Sequence, residues 1–142
     1  MRIADVLRSK GSAVATVDAK ASVAELAAAL AEHNVGAMVV LGPDGVAGIA
    51  SERDVVRGLR DRGADLLAAP VAEIMTTDLL TCSPGDPVDG LSVLMTDRRV
   101  RHVPVVSGGR LVGIVSIGDV VKSRISQLEQ GRDQLTAYIA QG

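Results

Sequence analysis

The stretch Gly48-Ile49-Ala50-Ser51-Glu52-Arg53-Asp54-Val55-Val56 returns 65 positions later as Gly113-Ile114-Val115-Ser116-Ile117-Gly118-Asp119-Val120-Val121. Around it, Thr16–Val56 lies on Thr81–Val121 without a gap, and 11 of the 41 positions are identical, six of them inside this block. A core usually repeats by residue type, since any aliphatic fills it. Identity at Gly, Ser and Asp says that the backbone and polar chemistry of the block repeat too. A duplication of this kind fixes the architecture before any single element is assigned.

Each copy reads in the same order. In the first, Ala15-Thr16-Val17 is a short strand. Ser22 and Glu25 form a capping box opening a helix to about His33, with Val23, Leu26, Ala27 and Leu30 on one face. Val35–Leu41 and Val46–Ala50 flank the turn Gly42-Pro43-Asp44-Gly45, and Ser51 caps a helix to about Arg62. In the second, Leu80-Thr81-Cys82 is the strand, Asp86 the cap and Pro87 the first helical residue. Val103–Val106 and Leu111–Val115 flank Ser107-Gly108-Gly109, and Ser116 caps the last helix. A leading turn repeats as well: Ile3-Ala4-Asp5-Val6-Leu7 matches Val71-Ala72-Glu73-Ile74-Met75 at an offset of 68, which puts three extra loop residues near Ser9–Ser12. From Val120 the chain reads as one long helix with apolar Val121, Ile125, Leu128, Leu135 and Ile139. That stripe packs either on a partner or back on its own domain.

The 142 residues make one compact unit or two small ones, and halves of this size bury little surface alone, so they are expected to share a core. The core is aliphatic: the chain has no Phe, no Trp and only Tyr138. A bound ring would lie between aliphatic, Pro or His side chains. A net charge of −2 with mixed signs offers no field for nucleic acid and no polybasic anchor. No apolar run is long enough to span a bilayer, and Met1–Asp5 starts no signal peptide. Cys82, the one cysteine, reads as a small buried hydrophobe. A soluble cytoplasmic protein is expected. His33 and His102 stand alone, without metal-ligand spacing, and no paired nucleophile and base or phosphate loop is present, so no catalysis and no metal are expected.

The S-x-x-D blocks have two readings. As a capping box, Ser accepts from the third backbone N–H while Asp reaches back to the first. As a ligand site, the free N–H groups of a helix start attract phosphate, Ser adds a donor, and a carboxylate one turn in accepts both hydroxyls of a ribose. Asp stands in both copies where Glu would cap equally well.

With Gly48–Asp54, Gly113–Asp119 and Arg101-His102-Val103-Pro104-Val105-Val106 together, the chain resembles a tandem pair of CBS domains, a Bateman module, over residues 1–124. Its tail resembles that of small stand-alone bacterial CBS-pair proteins. The resemblance implies an α/β (α+β) fold of two β-α-β-β-α repeats, residues 1–66 and 67–124, around a pseudo-twofold axis, with a C-terminal helical extension over 125–142. It implies adenosine compounds (AMP, ADP, ATP, S-adenosylmethionine or NAD(H)) as ligands of the clefts between repeats, with no catalytic cofactor. Carried over by position, Ser51 and Ser116 meet phosphate or ribose oxygens and Asp54 and Asp119 the ribose. Thr16, Thr81 and the backbone near Met38, Val39, Val103 and Pro104 line the adenine slot. His102 is a pocket wall or a strand-edge residue. Arg53 pairs with phosphate or is simply solvated, while Gly118 in its place leaves room near the backbone. Arg98, Arg99 and Arg101, with Arg110 nearby, are a solvated face or supply one or two phosphate partners. The resemblance further implies a flat homodimer, four repeats in a disc, and an unidentified protein that it regulates. A ligand-free assembly module is the competing reading.

Overall fold

In the computed structural model, which describes residues 1–11 and 13–141, each repeat forms a small sheet flanked by helices. The order is α1 (Ile3–Lys10), β1 (Thr16–Asp18), α2 (Val23–His33), β2 (Ala37–Gly42), β3 (Gly45–Ser51) and α3 (Glu52–Arg62). Two short 3-10 helices, Gly63–Ala68 and Val71–Glu73, lead to α4 (Val88–Arg98), β4 (His102–Ser107), β5 (Arg110–Ser116) and α5 (Ile117–Gln141). Ser12, the last of the expected extra loop residues, lies outside the described residues.

Both hairpins are antiparallel and carry the same irregularity. The register shifts between Val40 and Leu41 in one and between Val105 and Val106 in the other, so a single residue bulges opposite each. In the first repeat β1 runs parallel to β2, with Thr16 opposite Val39. In the second, the expected strand Leu80–Cys82 contracts to one bridge, Cys82 opposite Val105. The cause is Pro104, which stands at Val39's place and has no N–H to give Leu80. Cys82 keeps its pair of bonds, donating to the Pro104 carbonyl at 3.1 Å and accepting from Val106 N–H at 2.8 Å. It is buried, and burial followed by the charge of Asp86 pushes its thiol up to about 11.

Caps explain most helix starts. Ser22 Oγ accepts from Glu25 N–H at 3.1 Å and Glu25 returns a bond to Ser22 N–H at 3.2 Å. The cap of α4 differs from expectation: Pro87 holds the N-cap position, and Asp86 accepts from Ser83 N–H at 2.8 Å instead. Asn34 and Arg99, at φ 54° and 56°, end α2 and α4 in the left-handed region, again 65 positions apart.

The core is not the single shared one the halves were expected to need. It is two aliphatic clusters, and each takes its leading turn from across the duplication. Ile3, Val6 and Leu7 pack with Leu91, Met95, Val103, Val105 and Val115 of the second repeat. Val71, Ile74 and Met75 pack with Leu26, Leu30, Met38 and Val40 of the first. The backbone repeats this exchange bond for bond. Ile3 donates to Asp86 at 2.9 Å as Val71 does to Ala21 at 2.8 Å; Ala4 donates to Pro84 at 2.8 Å as Ala72 does to Ala19 at 3.1 Å; Val88 donates to Met1 at 3.1 Å as Val23 does to Ala69 at 2.9 Å. Each repeat completes its apolar cluster with a piece of the other's lead, so the two fold as one unit.

The last helix begins at Ile117, directly after the Ser116 cap and four residues before the first residue of the apolar stripe, Val121. Its first turns rest on β5 and α4, with Arg124 paired to Asp89 at 2.9 Å. Beyond Gln127 it projects, and Leu128, Leu135, Tyr138 and Ile139 are all at least 59 % exposed. Among the described residues, no helix is long and apolar enough to cross a membrane.

Candidate functional site

Each Gly-x-x-Ser-x-x-Asp block spans the end of a hairpin strand and the first turn of a helix. In the first, Asp54 N–H donates to Ser51 Oγ at 3.3 Å, and Asp54 Oδ2 accepts from Ser51 N–H at 2.9 Å and from its hydroxyl at 3.0 Å. In the second, Asp119 N–H donates to Ser116 Oγ at 3.1 Å and Asp119 Oδ2 accepts from Ser116 N–H at 2.8 Å. Both are therefore closed capping boxes. In both the cap uses one carboxylate oxygen, and among the described residues Oδ1 carries no hydrogen bond.

The surroundings of the two blocks differ. The first opens on a cleft of about 360 Å³ whose walls come from three stretches: Gly36 and Ile49–Arg57, the linker Thr76–Leu80, and Arg99–His102 of the second repeat. That volume lies in the range of small-molecule sites. Four arginines, Arg53, Arg57, Arg99 and Arg101, face three acids, Glu52, Asp54 and Asp78, so the cleft carries a net positive charge. Arg99 is held there by its left-handed backbone, where α4 stops and the chain turns into β4. The apolar walls, Ile49, Leu79, Leu80 and Val100, are aliphatic.

The second block is covered. Lys10, at the end of α1, donates to Asp119 Oδ2 at 2.6 Å and to the Ile114 carbonyl at 2.9 Å. Burial pushes the Asp119 carboxyl up, but the Lys10 hydrogen bond, the Ser116 N–H and the Lys10 charge outweigh it and hold the carboxyl below its ordinary value. His102 pairs with Ser116 across the β4–β5 hairpin and also lines the cleft at Asp54. Burial, then Lys10, push its imidazole below the usual range; Asp119 opposes and Arg101 adds to the fall.

Of the residues expected at the site, the first cleft gathers Ser51, Arg53, Asp54, Arg101 and His102. Ser116, Gly118 and Asp119 belong to the covered block. Met38, Val39, Val103 and Pro104 are buried within their strands. Thr16 lies by the hairpin tips, beside Gly45 and Leu111, and Thr81 is exposed next to the bridge at Cys82. Sequence reasoning missed Arg57, Thr76 and Asp78. Arg57 had a signal, since it falls four residues after Arg53 on one helix face. Lys10 had none: 109 residues separate it from Asp119. Among the described residues, no group of His, Cys, Asp or Glu is placed to hold a metal ion.

A pair of matched repeats, each lending its lead to the other and opening a cationic cleft beside a Ser/Asp helix start, defines a small two-repeat module. The family model for the CBS domain matches twice, over residues 3–61 and 71–126, and the chain belongs to that family. It is 36 % identical to the mitochondrial CBS domain-containing protein CBSX3 of Arabidopsis thaliana, over 99 % of this chain and 72 % of that protein. The solved CBS-domain protein ATU1752 of Agrobacterium tumefaciens is similar at a TM-score of 0.82 and 44 % identity, over 87 % of this chain and 92 % of its own. The CBS pair of protein MJ0100, solved in complex with 5-methylthioadenosine and S-adenosyl-L-methionine, is similar at 0.75 and 27 %, over 93 % and 98 %.

Proposed function

We propose that this chain is a non-catalytic regulatory module that senses an adenosine compound, AMP, ADP, ATP or NAD(H), in the cleft at Ser51 and Asp54. The observation that carries this reading is the meeting, in one cleft of about 360 Å³, of a capped helix start with four arginines. Asp54 Oδ1 is left over for ribose hydroxyls. The arginines supply bidentate donors for phosphate. The base lies against Leu79, Leu80, Ile49 and Val100, with backbone groups at its edge, an arrangement that fits a chain almost without aromatics. The adenosine ligands of the MJ0100 pair support the ligand class.

We assign the apolar groove between α4 and α5 to a homodimer. It measures about 600 Å³ and includes Val93, Ile117, Val121 and Ile125. All four are 36 % exposed or more in the single chain. Val56 and Leu59 present a similar exposed face on α3. Ligand binding would act by favouring one arrangement of the repeats over another, and a regulated protein partner would read that difference.

Two observations favour a second reading, a ligand-free assembly module: both Ser/Asp pairs close capping boxes, and the projecting half of α5 exposes Leu128, Leu135, Tyr138 and Ile139. Thermal melting separates the two, with AMP, ADP, ATP, NAD, NADH and S-adenosylmethionine against GMP and CMP. A compound at 100 times its Kd adds about 2.7 kcal/mol. Shifts of several degrees confined to adenosine compounds support the sensor. A flat panel on protein extracted free of nucleotide supports the assembly module.

A further inference from the structure

One difference between the two blocks lies in the leads that pack against them. In the first repeat the strand-end carbonyl of Ile49 accepts from Thr76 N–H at 2.8 Å, and the chain passes on as an antiparallel bridge. The corresponding lead of the second repeat is α1, which stays helical to Lys10 where its counterpart stops as a 3-10 turn at Glu73. The longer helix carries Lys10 onto the matching carbonyl, Ile114, and onto Asp119. Lys10 thus takes at Ile114 the place that Thr76 N–H takes at Ile49, and extending the 68-residue offset of the leads sets Lys10 on Asp78, which lines the first cleft. So the aspartate of one block faces a bound ammonium, and the aspartate of the other faces a carboxylate and four guanidiniums. A separate hollow of about 150 Å³ lies on the α1–α5 side of the pair, beside Asp5, Lys10, Asp119 and Lys122.

We propose that Lys10 is an internal latch on the second cleft, holding the Asp119 carboxylate and the Ile114 carbonyl so that only the cleft at Asp54 accepts an adenosine compound in the resting protein. The proposal rests on the reading of the clefts as adenosine sites. Lys10 takes Asp119 Oδ2, so it opposes a ribose diol by neutralising the carboxylate and standing against it, not by filling Oδ1. The ion pair is partly open to solvent, with side chains 31 % and 19 % exposed, so it is reversible. The latch is covalently part of the chain and meets Asp119 at a fixed effective concentration, whereas the ligand must reach a matching concentration to displace it.

Isothermal titration of the full chain with AMP tests this, with NAD and S-adenosylmethionine run alongside. Wild type takes one equivalent per chain, and Asp54→Asn abolishes it. Lys10→Met takes two, and Asp119→Asn in that background returns it to one. Lys10→Gln, which keeps a polar side chain without the charge, behaves as Lys10→Met. Two equivalents in wild type, one equivalent that survives Asp54→Asn, or one equivalent in both Lys10 variants would each overturn the latch while the sensor reading stands. No heat with any of the three compounds in any variant overturns the sensor reading, and the latch falls with it.

Discussion

Met75 occupies the space a side chain at Gly48 would need: a Cβ built on Gly48 falls 2.9 Å from the Met75 sulfur and 2.6 Å from the Thr76 carbonyl oxygen. Its symmetry mate is Leu7 over Gly113, where the Cβ would fall 2.6 Å from a Leu7 methyl. The two glycines are repeated because the two leads cross over, each pressing a long side chain onto the other repeat's hairpin. The same approach brings Thr76 and Asp78 to the cleft, so the glycine is part of what shapes the site.

Gly48→Ala should therefore destabilise more than Gly113→Ala. At Gly48 the obstacle is backbone, whereas at Gly113 it is the end of a flexible leucine. Overpacking of this kind costs about 1–3 kcal/mol, which melting or urea denaturation would register as a lower midpoint for both variants and the larger drop for Gly48→Ala. Equal midpoints would deny the close approach of Thr76.

The exchange of leads predicts where a core cavity is felt. Ile3 is fully buried among residues of the second repeat. Ile3→Ala should cost about 2–5 kcal/mol, and native-state hydrogen exchange should show protection lost in β4 and β5 before β2 and β3. Loss confined to β2 and β3, the repeat that Ile3 precedes in sequence, would contradict the crossing.

Asp54→Glu separates cap from ligand site. Glu serves a capping box as well as Asp does, so the melting midpoint without ligand should stay within about 0.5 kcal/mol of wild type. The longer carboxylate moves out of reach of a ribose held at Ser51, and AMP affinity should fall at least tenfold. A variant that binds AMP like wild type would return Asp54 to a purely structural role.

His102 sets a pH dependence. Its imidazole is held below the usual 6.5 by burial and by Lys10. Between that depressed value and 6.5 the unfolded chain binds more protons than the folded one, so stability falls as pH drops. The melting midpoint should be insensitive to this group above pH 7 and decline as pH falls below about 6.5. His102→Gln should remove that part of the decline. Asp119, whose carboxyl is held low, acts only in the separate window below 3.8.

Much of this was legible in the sequence. The duplicated block gave the repeat order, both hairpins and both Ser/Asp helix starts, because each depends on contacts a few residues apart. The crossing of the leads was legible only as a second offset, 68 instead of 65, without the partner each lead would choose. The shortening of the strand at Cys82 hinged on Pro104, a residue in a different strand whose missing N–H is felt by Leu80. The Arg99 and Arg101 wall was visible as a basic cluster but not as a wall, since its position follows from the left-handed turn at Arg99. The Lys10–Asp119 pair depends on how far α1 continues, a property of packing against β5 that no local pattern encodes.

The most direct test of the central claim is amide chemical-shift mapping of the isotopically labelled protein during titration with AMP, then NAD and S-adenosylmethionine. The account predicts a contiguous set of saturable shifts at Gly36, Ser51–Asp54, Thr76–Leu80 and Val100–His102. Shifts confined to the groove between α4 and α5, or none with any of the three compounds, would contradict it.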